Sequence, residues 1–128
     1  MAAQHVLHSS PDTVHWGYFE ASWEPALRVE SGDRITIHTL TAEPEDLPPD
    51  GFDVLPELLE VHANCERGPG PHFITGPVWV NGAQPGDVLE VRILDCQLRQ
   101  DWGWMIIAPL LGTLPEDFPN LHRTYVRM

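Results

Sequence analysis

The chain has 128 residues, with 19 acidic side chains against seven basic ones and a net charge of −12. All seven cations are Arg, which excludes any mechanism that draws a Lys amine from within the chain. An acidic balance repels phosphate backbones and argues against nucleic acid as a partner. The chain shows no apolar run of signal-peptide type and none of membrane-spanning length, so the expectation is a cytoplasmic chain with no membrane partner.

Residues 1–10 alternate around His5–His8 and predict an edge strand. Asp12–Phe19 is rich in β-formers, and Trp16, Tyr18, Phe19 and Trp23 crowd into eight positions as either a core cluster or the wall of a small-molecule pocket. Ser31-Gly32-Asp33 is a turn leading into a strictly alternating strand, with Ile35, Ile37 and Thr39 on one face and His38 on the polar, solvated one. Thr41–Gly51 is acidic and Pro-rich; it predicts a solvated loop, and its carboxylates match no EF-hand spacing. Phe52–Glu60 predicts a short helix with Leu55, Leu58 and Leu59 on one side. Cys65 has His62 and Arg67 nearby, which could lower its pKa, although an unpaired Cys is more often an inert small hydrophobe. With only Cys96 besides, no disulfide framework is possible.

The densest pattern is Pro71–Asp95. Val78–Val80 is a short β-rich run, Asn81-Gly82 and Gln84–Asp87 are turns, and Val88–Ile93 alternates as a long strand with Leu89, Val91 and Ile93 on one face. Gly and Pro bracket His72 and Thr75 in a lead-in that cannot be helix and is poorly suited to ladder pairing. A His and a hydroxyl on a rigid loop suit a ligand or acid–base site; the alternative is a loop His bonded to a carbonyl. Beyond it, Asp95–Leu98 stays extended, Trp102–Pro109 is apolar, and a strand begins near Tyr125–Met128 whose unfinished edge would favour association. Thirteen Pro and ten Gly spread through these elements favour many short strands. The expected fold is all-β: one domain over residues 1–128, an antiparallel, jelly-roll-like β-sandwich with at most one or two short helices.

The wording from His72 to Val91, HFITGPVWV followed by GAQPGDVLEV, resembles the acetamidase/formamidase family. So do Thr13–Phe19 (TVHWGYF), the Gly103-Trp104 step, Leu114–Pro119 (LPEDFP) and a closing strand near His122–Arg127. The resemblance implies a hydrolase that converts short aliphatic amides, formamide or acetamide, to carboxylate and ammonia. It makes His15 a site candidate beside His72 and Thr75, and it leads one to expect a polar residue such as Asn where Met105 stands. Family members are considerably longer, so the chain resembles the N-terminal part of one. The sequence has neither a G-x-S-x-G elbow nor an H-E-x-x-H pair. Its scattered His and acids suit a metal-activated water better than a covalent Ser. The expected catalytic set is therefore His72, Thr75 and His15. A divalent metal, zinc or calcium, would sit on His15, His72 and Asp95, and the expected partners are a small amide substrate and either a homo-oligomer or the missing C-terminal portion. The rival expectation is a truncated, non-catalytic β-sandwich that binds or assembles.

Overall fold

The computed structural model describes residues 2–128. Eight short strands and one helix succeed one another in chain order: β1 Gln4–Leu7, β2 Val14–Trp16, β3 Leu27–Val29, β4 Arg34–Ile37, α1 Pro56–Asn64, β5 Phe73–Thr75, β6 Val78–Val80, β7 Trp102–Ile107 and β8 His122–Arg127. A single 3₁₀ turn, Pro44–Asp46, precedes α1. The strands pair two by two, as β1–β4, β2–β5, β3–β6 and β7–β8. The mainly-strand expectation therefore stands, with its short helices. The wholly antiparallel one does not, because β1–β4 and β3–β6 are parallel. Among the described residues the strands form four two-stranded sheets and no closed barrel.

Turn chemistry explains the start of β4. Glu30–Asp33 closes with the Asp33 amide on the Glu30 carbonyl at 3.1 Å, and Gly32 takes φ +93° at the third position. The Asp33 carboxylate then accepts from the amides of Glu30 and Ala3 and contacts His5 Nε2 at 3.0 Å. Three donors, from the turn, from His5 in β1 and from Ala3 just before it, thus converge on one side chain, which fixes the register Gln4↔Arg34. Gln84–Asp87 builds the same turn: Asp87 N–H bonds the Gln84 carbonyl, and the Gln84 amide bonds the Asp87 carboxylate at 2.8 Å.

This second turn does not open into the long strand that the alternation predicts. From Val88 to Leu98 the backbone runs without turn, bend or ladder partner. Side chains 88–98 are exposed throughout. Alternation states which face is apolar, but a ladder also needs a second strand, and none of the other described strands lies against this one. The converse holds at residues 73–75. Phe-Ile-Thr pairs antiparallel with β2 despite the Gly/Pro bracket, because Pro71 and Pro77 fall just outside the ladder.

The core sits between β2 and α1. Val14, Leu40, Leu58 and Val61 form it, with Leu47, Val54, Leu55, Cys65 and Phe73 packed around them. Pro56 opens α1 where its missing N–H costs nothing, and Leu55 before it is extended. The helix turns Leu58 and Val61 inward, both fully buried, while Leu59 is half-exposed, contrary to the expected grouping. The β7–β8 pair is tied to residues 46–53. Trp102, fully buried, donates Nε1–H to the Asp53 carbonyl at 2.7 Å. Tyr125 O–H bonds the Leu47 carbonyl at 3.0 Å, and Arg123 Nε bonds Asp46 Oδ1 at 2.9 Å. The acidic loop is accordingly no solvated excursion: Ala42 and Asp46 are buried, and Glu43 and Glu45 both hold Arg67. No helix among the described residues is long and apolar enough to cross a membrane.

Candidate active site

The β2–β5 pair carries the site. Register sets Val14 opposite Thr75, His15 opposite Ile74 and Trp16 opposite Phe73. Strand alternation then sends Val14 and Trp16 into the core, where both are 3 % exposed, and His15 to the other face. There His15 Nε2 lies 3.0 Å from the Gly76 carbonyl oxygen. A carbonyl can only accept, so Nε2 carries the hydrogen and neutral His15 keeps its lone pair on Nδ1. Nδ1 has no hydrogen-bond partner among the described residues. The indole of Trp23 stacks on the imidazole with centroids 3.5 Å apart and planes 13° from parallel, which fixes the ring's tilt as the hydrogen bond fixes its edge.

His15 lines a cleft of about 470 Å³ together with Tyr18, Phe19, Glu20, Trp23 and Ile74. A smaller hollow of about 290 Å³ shares Glu20, Trp23 and Pro77 with it and ends at Trp79, over which Arg28 lies at 5.1 Å. The four crowded aromatics thus divide between the two expected uses. Trp16 belongs to the core, packing on Phe73 with centroids 4.8 Å apart, whereas Tyr18, Phe19 and Trp23 wall the cleft. Beside the cleft, Gly17 and Gly70 bring two backbone segments close together. A Cβ at Gly17, which has φ +82°, would stand 2.6 Å from the Gly70 backbone, so only Gly fits that approach.

Thr75 borders the cleft, but it stands opposite Val14, so alternation turns its side chain to the core face; its buried Oγ1, like Trp16 Nε1, has no partner among the described residues. His72 is exposed, and its carbonyl accepts the Gly17 amide at 2.8 Å. Alternation puts it on the His15 side of the strand pair, one diagonal step away, where β carbons are roughly 7–8 Å apart. Asp95 lies in the unpaired 88–98 segment and bonds the Cys96 amide and the Gln97 side chain. A zinc site needs at least three converging protein donors. No three His, Cys, Asp or Glu side chains converge in that way among the described residues.

Two participants escaped sequence reasoning. Glu20, an exposed residue lining the cleft, accepts from Ser22 Oγ at 2.6 Å, and the Gly76 carbonyl sets the tautomer of His15. The signal for Gly76 was its place in the Gly/Pro bracket; for Glu20 there was none. Cys65 is a site in neither sense. Burial first, then Asp12, push its thiol above the ordinary value, opposite to the lowering that His62 and Arg67 suggested. His38 is not simply solvated either, since it is half-buried against His8.

The cleft thus gathers an imidazole whose Nε2 is tied to a carbonyl, a stacked indole and a carboxylate-bearing residue. The sequence assigns the lineage. Residues 19–128 match the model of the acetamidase/formamidase family, and the chain belongs to that family. It is also similar to the formamidase of Methylophilus methylotrophus, 34% identical over 58 residues that cover 41% of this chain and 14% of that protein. The chain thus aligns with about a seventh of that relative's length.

Proposed function

We propose that the chain contributes the His15 cleft to a hydrolase of short aliphatic amides, releasing carboxylate and ammonia from formamide or acetamide. The observation that carries this is the His15–Gly76 hydrogen bond, which leaves Nδ1 as the basic atom of a ring that lines the cleft. Family membership supports the reaction class, and the relative whose name is formamidase supports the substrate class. In the proposed reaction His15 Nδ1 takes a proton from the attacking water and returns it to the departing amine. Glu20 or His72 stands as the second acid–base group, and Thr75 borders the cleft from the core side of the strand pair. No step is routed through a metal, since no set of three donors gathers among the described residues.

Release of ammonia from formamide tests the reading, with and without added zinc or calcium. Turnover is expected from the chain, and His15→Ala should lose on the order of 10²-fold or more of it. A pure, folded chain that releases no ammonia under either condition would sink the proposal. It would favour instead a non-catalytic binding or assembly module, a reading that the unpaired 88–98 segment supports.

A further inference from the structure

We propose that residues 88–94 pair antiparallel with the same residues of a second copy of this chain, about a twofold axis through Val91. The inference is independent of the amide reading. The segment is extended and bare: Val88 is 94 % exposed, Leu89 70 %, Val91 72 % and Ile93 80 %. None of its backbone groups bonds another backbone group among the described residues, so a full row of donors and acceptors faces outward.

The sequence VLEVRIL complements itself. With Val91 opposite Val91 of the other copy, Leu89 meets Ile93, Val88 meets Leu94, and Glu90 meets Arg92, each match occurring twice by symmetry. The two charges lie on one face and already attract each other within the chain, Arg92 Nε to Glu90 Oε1 at 2.5 Å. Antiparallel pairing keeps that attraction and doubles it across the axis. A parallel in-register pairing would instead set Glu against Glu and Arg against Arg. The other face becomes a continuous aliphatic strip from both copies. One-residue slips are excluded, because they turn Glu90 and Arg92 onto Leu and Val. The −12 charge on each copy opposes approach, but over distances beyond about 8 Å it is screened at physiological ionic strength, whereas the paired charges are in contact.

Sedimentation equilibrium on the intact chain and three variants decides the matter. The wild type should sediment as a dimer at high micromolar concentration. Glu90→Arg alone, or Arg92→Glu alone, sets like charges across both symmetric contacts and should weaken the dimer about tenfold or more. The double swap E90R/R92E should restore the homodimer, and mixing the two single variants should give a mixed dimer, which shows that each remains folded and competent. A wild-type chain that stays monomeric overturns the proposal. So does any assembly, dimer or larger, that the single swaps leave unchanged or the mixture fails to restore.

Discussion

Nδ1 of His8 lies 3.2 Å from Nδ1 of His38, with the two rings nearly perpendicular at 83°. Such a contact needs a hydrogen on one nitrogen and a lone pair on the other, so it survives in the neutral state and fails when both rings are charged. Desolvation holds His38 below its ordinary 6.5, Arg99 and His8 add to the effect, and Glu57 opposes it.

The direction of the pH effect is then fixed. Below 6.5 the unfolded chain binds a proton at His38 that the folded chain resists, so stability present above that value is lost as the pH falls through it. Thermal melts taken from neutral to mildly acid pH should show a falling midpoint, and His38→Asn should flatten that slope. Identical slopes for the two proteins would refute this account.

Asp33 carries a second pH dependence, further to the acid side. The Glu30 amide first, then His5 and the Ala3 amide, hold its carboxyl down to about 2 from 3.8. Its contribution is complete above 3.8 and disappears as the pH falls toward 2. Asp33→Ala should lower the melting midpoint at neutral pH and reduce the steepness of acid unfolding between those values. Amide exchange should also quicken through β1, whose register the carboxylate fixes.

The Asp46–Arg123 pair ties β8 to the 3₁₀ turn, and its carboxylate side chain is 7 % exposed. Arg123→Ala strands a nearly buried charge and should cost about 3 kcal/mol in urea unfolding. Asp46→Asn on that background should recover part of the loss, since the stranded group is then neutral. If the two losses simply add, the pair is not coupled.

Thiol chemistry separates the two cysteines. Cys65 is partly buried with its pKa pushed up, and Cys96 is exposed. A thiol reagent at neutral pH should modify one equivalent rapidly in the native chain, and Cys96→Ser should abolish that fast phase. Rapid labelling of Cys65 would mean that the loop over it opens readily.

Local pattern was legible in the sequence where local chemistry decides the outcome. The Gly-Asp turns, the strands at 4–7, 34–37 and 78–80, and a helix near 56–64 all arise from turn residues and alternation. Pairing was not legible. SGDRITI and PGDVLEV share one grammar, yet the first finds β1 through Asp33 and the second finds nothing, because Asp87 binds only its own turn. The same limit affects the site. His15 was visible by family resemblance and Thr75 by its setting, but the tautomer of His15 depends on a carbonyl 61 positions away. No periodicity encodes that distance.

The seam where Gly17 meets Gly70 has a bearing on how this cleft can change. A methyl group at Gly17 wedges apart the two segments that carry the imidazole and its carbonyl partner, and no repacking nearby makes room, since the obstacle is main chain. Tailoring the cavity to a different guest must therefore proceed through the exposed rim residues Tyr18 and Phe19, and not through this seam.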